Sequence, residues 1–344
     1  TDIDKPSDYF ETVLYTGNGS SQAITGVNFE PDFLWIKGRS GARNHSLFDI
    51  VRGNDKRIIS NTTGAETTET SVTSFDTDGF TLDSGTTSNA NGETFVAWNF
   101  KAGTSFTNDA SATGIGTIDS TGSVNTDAGF SIVSYTGNGS AGATIGHGLG
   151  VTPKMFIVKS RSLAQDFTVY NEYIGNTNGL FLNNTDASTG DSSYFNNTSP
   201  TSSVFTVGTN ARGNTNGATY IAYCFNDVQG YSKFGSYSSN SNADGPFVYL
   251  GFKPAFLIVK CTTAAEGWAI MDSTREPTND GSFATLSANT NGSEGSLVID
   301  FLSNGFKPRQ VSGQINKSGS HSYIYMAFAE QPFVTSTGVP ATAR

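Results

Sequence analysis

The chain is built from short runs in which apolar residues either alternate with polar ones or stand four together, and no run sustains a helical period. One pattern occurs three times. Pro31-Asp32-Phe33-Leu34-Trp35-Ile36-Lys37 returns as Pro153-Lys154-Met155-Phe156-Ile157-Val158-Lys159, and again as Pro254-Ala255-Phe256-Leu257-Ile258-Val259-Lys260. Such a run is too short for a buried helix, and its β-branched and aromatic residues predict a buried strand. Pro stands where a missing N–H breaks no ladder bond. Lys closes the run, with its stem expected along apolar surface and its charge in water. A threefold recurrence predicts a threefold architecture.

The flanking strands recur as well. Phe10-Glu11-Thr12-Val13-Leu14-Tyr15 and the turn Thr16-Gly17-Asn18-Gly19-Ser20 are matched by Phe130-Ser131-Ile132-Val133-Ser134-Tyr135 and Thr136-Gly137-Asn138-Gly139-Ser140. The third copy, Gly230-Tyr231-Ser232-Lys233-Phe234-Gly235-Ser236-Tyr237, lacks that turn but keeps the aromatic spacing. Each copy closes on a strand whose alternate residues are bulky: Val96/Trp98/Phe100, Ile221/Tyr223/Phe225 and Ile324/Met326/Phe328. Alternate residues share a face, and constant bulk makes that face the core. In the first copy, hairpins are predicted around Gly53-Asn54-Asp55 and around Asp76-Thr77-Asp78.

The opening, Pro-led and closing strands lie far apart in sequence and must share one core, which a two-layer sandwich provides. The predicted fold is therefore all-β: three tandem antiparallel β-sandwich units, jelly-roll-like, with little helix. The units span residues 9–101, 127–228 and 229–333. They are preceded by an arm at 1–8 and followed by a tail at 334–344. Residues 102–126, mostly Gly, Ala, Ser, Thr, Asn and Asp, read as a linker that leaves the first unit the freer one. The short join at 226–229 predicts that the second and third units pack together. The expected structural core is Phe33, Trp35 and Trp98 in the first unit, Met155, Ile157 and Tyr223 in the second, and Phe256, Ile258 and Met326 in the third. Trp98 is expected to act within its own unit.

Composition agrees. The chain has 344 residues, room for three units of about 100 each. It has 39 Gly, 25 Phe and 13 Tyr, too many aromatics for disorder. A net charge of −10 without any Lys/Arg cluster argues against a nucleic-acid surface. No signal peptide is read at the polar start, and no apolar run approaches membrane-spanning length. Cys224 and Cys261 have no repeated counterparts and are read as buried thiols.

Candidate chemistry is sparse, and no catalytic residue, metal site or cofactor is predicted. His45, His147 and His321 fall at non-equivalent, loop-like places. Asp76-Thr77-Asp78-Gly79 lacks the remaining ligands of a calcium loop and reads as a turn. Asp49, Asp272 and Asp300 are the carboxylates nearest to predicted strands. Asp49 and Asp272 fall at equivalent places, which points to a structural role rather than to the paired acids of glycoside hydrolysis. Tyr15, Tyr135 and Tyr237 recur at the ends of the opening strands; core packing is their first reading and a ligand-stacking platform their second.

Several blocks together resemble virion structural proteins of tailed phages, especially marine ones, including tail-fibre-like proteins. They are Tyr15 to Ser20 followed by Pro31 to Ser40, Ser74-Phe75-Asp76-Thr77-Asp78-Gly79-Phe80, His147-Gly148-Leu149-Gly150-Val151-Thr152-Pro153-Lys154-Met155, Gly230 to Tyr237, Asp300-Phe301-Leu302-Ser303-Asn304-Gly305-Phe306 and Tyr323-Ile324-Tyr325-Met326-Ala327-Phe328-Ala329-Glu330. The resemblance covers residues 9–333. It implies a non-enzymatic structural protein, assembled in the host cytoplasm into the virion as a capsid decoration or a head or tail appendage. Its expected partners are other virion proteins and copies of itself, with a trimer as first guess. The alternative is a carbohydrate-binding adhesin that reads host surface glycans. Neither nucleic acid nor membrane insertion is expected.

Overall fold

A computed structural model describes residues 1–342. The chain is all-β, 44% strand and 6% helix, in several antiparallel sheets. Three of these are large. The first runs Phe10–Thr16, Thr94–Phe100, Phe33–Gly38, Ser46–Asp49, Gly53–Ile58, Thr67–Thr68. The third has the same order in Ser232–Ser238, Ser322–Pro332, Phe252–Cys261, Ala269–Asp272, Phe283–Ser287, Gly295–Leu297. The second repeats it in Phe130–Thr136, Thr219–Phe225, Met155–Ser160, Thr168–Asn171, Asn178–Phe181, Thr189–Gly190, with two more strands at its opening edge. Each closing strand thus lies between its opening and Pro-led strands. Phe33, Met155 and Phe256 stand opposite Phe100, Phe225 and Phe328 at equivalent places.

The two extra strands, Thr104–Asn108 and Ser120–Asn125, are made by the stretch expected as a linker. Its Gly, Ser and Thr residues can pair through backbone alone, and Asp109 caps a helical turn at Ala110–Thr113 between them. The first hairpin turns at residues 50–52, three positions before the expected place. Gly53 instead opens the returning strand, at φ 99°. The second hairpin, Val72–Asp76 with Gly79–Leu82, lies where it was expected.

Each large sheet covers a small one. The small sheets are Gln22–Thr25, Gly79–Leu82 and Val72–Asp76 in the first repeat, Ala143–Gly146 and Val204–Val207 in the second, and Val248–Tyr249, Gly305–Pro308 and Ile299–Leu302 in the third. A separate apolar cluster fills each of these three spaces. A fourth and larger cluster lies among the three large sheets, and it holds all nine residues named above as core. Trp98 is fully buried there, its ring 5.5 Å from that of Phe256 of the third repeat. Phe100 meets both Phe225 and Phe328. The face predicted to be core is therefore core, but it packs between repeats. The opposite face, with Phe95 and Ala97, fills the first repeat's own cluster. Nor is the first repeat freer than the others, because it contributes to the shared cluster as they do. Ile3 of the N-terminal arm is buried in it as well.

Candidate functional site

The contacts between repeats are built from equivalent residues. Trp98 of the first repeat donates its Nε1–H to Asp272 of the third at 3.0 Å. Asp272 also binds Arg275 Nε at 2.5 Å; Arg275 reaches Glu294 at 3.1 Å, and Arg39 of the first repeat closes on Glu294 at 2.8 Å. The seam between the second and first repeats is the same. Tyr223 donates to Asp49 at 2.8 Å, Asp49 binds Arg52 at 2.5 Å, Arg52 reaches Glu66 at 3.3 Å, and Arg161 binds Glu66 at 2.9 Å. The Asp49, Arg52, Asp272 and Arg275 side chains are fully buried. Such a charge pair is tolerable only because its hydrogen bonds are met: Arg52 Nη2 also donates to Leu47 O, and Arg275 Nη2 to Ile270 O.

The seam between the third and second repeats holds none of these charges. Met326 stands where Trp98 and Tyr223 stand, each opposite the third apolar residue of its Pro-led strand. Asn171 replaces Asp, facing Met155 as Asp49 faces Phe33, and Ile174 takes the place of Arg three residues on. One backbone bond fixes the remaining pair: Glu66 N to Arg161 O, Glu294 N to Arg39 O, and here Ser188 N to Thr262 O. Five positions have changed together, and at these positions the seam is neutral.

The three Pro-led lysines bind all three seams alike. They are fully buried, contrary to the expectation of a solvated charge. Lys37 donates to Asn291 O of the third repeat at 3.3 Å, Lys159 to Thr63 O of the first at 2.9 Å and Lys260 to Thr185 O of the second at 3.0 Å. Reach decides this, because the strand ends at the seam and the ammonium finds carbonyls there before it finds water. Burial lowers each amine's pKa to about 8, against about 10.4 when unfolded. The folded chain then binds fewer protons than the unfolded one. The resulting penalty is complete below pH 8 and is relieved as pH rises. Cys224, pushed up to about 12 by burial, acts with the opposite sign, since an exposed thiol ionises near about 8.5. Three amines outweigh one thiol. Burial raises the pKa of Tyr15, Tyr135, Tyr223, Tyr231 and Tyr237 as well, but unfolded phenols ionise only near about pH 10, so the melting temperature should rise between about pH 8 and 9, and less so in Lys159→Met. A fall over that range would contradict the assignment.

Tyr15, Tyr135 and Tyr237 do not form open platforms. Each ring stacks on the first aromatic of its closing strand, Phe95, Tyr220 or Tyr323, at centroid distances of 5.2, 5.2 and 5.0 Å. Their hydroxyls donate to Ser88 O, Gly213 O and Ile315 O. The next residue in each case is a buried Asn: Asn89, Asn214 or Asn316. Its side-chain oxygen accepts the N–H of Asn18, Asn138 or Asn240. The third repeat therefore keeps the turn after its opening strand, although Thr-Gly-Asn-Gly-Ser is gone from its sequence.

The candidate acids and histidines separate. Asp49 and Asp272 belong to the seams, whereas Asp300 is a partly exposed partner of Arg309. His45 lies in the loop just before Ser46–Asp49, as expected, but is fully buried. Its pKa is pushed down to about 3 by burial and by the Lys37 ammonium, so the neutral ring accepts Trp35 Nε1–H at Nδ1 and donates from Nε2 to Ser287 O. His147 is buried too, and His321 Nδ1 meets Thr263 Oγ1. Cys224 and Cys261 are buried free thiols. Among the described residues no group of three or more His, Cys, Asp or Glu stands close enough to hold a metal, and no helix is long and apolar enough to cross a membrane. A surface depression of about 730 Å³ lies where the extra strands flank the second repeat's opening strand, with Asp109, Asp119, Ser134 and Asn138 on its walls.

A family described as Domain of unknown function (DUF7483) matches residues 5–332. The chain belongs to that family. The match takes in all three large sheets and all three seams, so the domain of this family is the whole three-repeat assembly. No curated protein matches the chain.

Proposed function

We propose that this chain is a non-catalytic structural component of a phage virion: three tandem antiparallel β-sandwich units, jelly-roll-like, that act as one block presenting surfaces to other virion proteins. Residues 9–101, 127–228 and 229–333 carry the units, each a large sheet over its small one, with the two strands of 102–126 added to the second. The observation that carries the reading is the use made of the repeated polar residues. Lysines at three seams and Asp–Arg–Glu–Arg chains at two hold repeat to repeat, so the residues with most chemical potential serve rigidity. The sequence resemblance to tailed-phage virion proteins supplies the setting. Assembly as a homo-oligomer, with a trimer as first guess, belongs to the same reading. The chain already closes a ring of three within itself, first repeat to third, third to second, second to first. Mass spectrometry and antibody-labelled electron microscopy of gradient-purified particles of the encoding phage should find the chain in fixed stoichiometry at one location. Infectious particles that lack it would refute the proposal.

A further inference from the structure

The small sheet of the third repeat has an outer face unlike the other two. Phe247 and Tyr249, on either side of the inward Val248, are 48% and 52% exposed. Tyr249 faces Gly305, which faces Leu302 on the next strand; one step along the same registers, Phe247 adjoins Lys307 and Asp300. Gly305 has no side chain, so the Phe247 ring lies across it: a Cβ there would stand 3.1 Å from Phe247 Cε2. Lys233 holds the other ring, its Nζ 5.4 Å from the Tyr249 centroid and donating to Tyr249 O at 3.2 Å.

The fold does not need these rings. Register places Phe247 and Tyr249 at the positions of Ala23 and Thr25 in the first repeat and of Thr144 and Gly146 in the second. In the second repeat Thr117 and Ile118 pair with the edge of this sheet at Thr144 O, and Asn108 and Ile115 lie over its outer face at Gly146. In the third, two large aromatic rings stand half exposed instead.

We propose that this face is a binding platform for a saccharide, with Phe247 and Tyr249 taking the C–H faces of pyranose rings and Lys307 and Asp300 hydrogen-bonding hydroxyls at the rim. Two half-exposed aromatic side chains offer roughly 200 Å². A stable protein contact needs about 800 Å² per partner, whereas one or two sugar rings are covered by the smaller area. The rim suits a neutral polyhydroxy ligand, because it offers both signs of charge and its cations are paired: Lys307 with Asp244 at 3.1 Å, Arg309 with Asp244 at 2.6 Å. The proposal is independent of where the chain is carried.

The test uses the full chain and saturation-transfer NMR with methyl glycosides of glucose, galactose, mannose, N-acetylglucosamine and glucuronic acid, followed by titration of the strongest binder. The double variant Phe247→Ala/Tyr249→Thr installs the first repeat's residues and should keep the native melting temperature. Its affinity should fall at least about tenfold. Saturation transfer to none of the glycosides at millimolar concentration would overturn the proposal, as would a variant that binds like the native chain. Loss of self-association in the double variant, without any change in glycoside binding, would overturn it in favour of contact with a second copy.

Discussion

Trp98→Ala is expected to lower the stability of the whole chain by roughly 3–5 kcal/mol, not that of the first repeat alone. The side chain is fully buried in the cluster shared by three sheets. Removing it leaves a cavity against Phe256 and takes the indole donor from Asp272, a buried carboxylate that retains only Arg275 and backbone. The guanidinium of Arg275, 5.6 Å from the Trp98 ring, loses its stacking partner as well. Because these neighbours belong to the third repeat, thermal unfolding of the variant should shift as one. A trace in which one transition moves and others stay would show that the damage is confined to one repeat.

Arg275→Ile should cost a similar amount, roughly 3–5 kcal/mol, because it strands Asp272 as a buried and unpaired charge. The neutral seam shows how that loss can be removed. There Asn171, Ile174, Ser188 and Thr262 occupy the four charged positions together. The combined variant Arg39→Thr/Asp272→Asn/Arg275→Ile/Glu294→Ser should therefore recover most of the loss caused by Arg275→Ile alone, as expected when a buried ion network is replaced whole. Asn at 272 still offers an oxygen to Trp98. Chemical denaturation of both variants measures the comparison, and a combined variant less stable than the single one would contradict it. The neutral seam is not without cost: Asn171 Nδ2 is buried with no hydrogen-bond partner.

Much of this architecture was legible in the sequence. The Pro-led strands, the closing strands and their bulky face were predicted in register, and the nine residues named as core are buried together. What the pattern could not say was which body that face meets. Both faces of each closing strand are buried, Val96/Trp98/Phe100 against other repeats and Phe95/Ala97 against the first repeat's small sheet. A strand covered on both sides shows no clean alternation from which to tell the two. A signal was present nonetheless. Lys follows the four apolar residues in every copy, and Arg follows Asp by three residues at both Asp49 and Asp272. Buried charge repeated at fixed spacing marks an interface more than a solvent rim. Residues 102–126 misled for a different reason: only Phe106, Ile115, Ile118 and Val124 are large and apolar there, and backbone pairing to a strand already in place leaves little trace in composition. Phe247 and Tyr249 could not be picked out because, in sequence alone, an exposed aromatic and a buried one look alike.

The central claim is that three sheets share one core, so that no repeat is stable apart from the others. Native-state hydrogen exchange across a denaturant series tests it most directly. Amides of Thr94–Phe100, Thr219–Phe225 and Ser322–Pro332 should converge on one opening free energy and one denaturant dependence. Three separate values, with one closing strand opening while the other two stay protected, would contradict it.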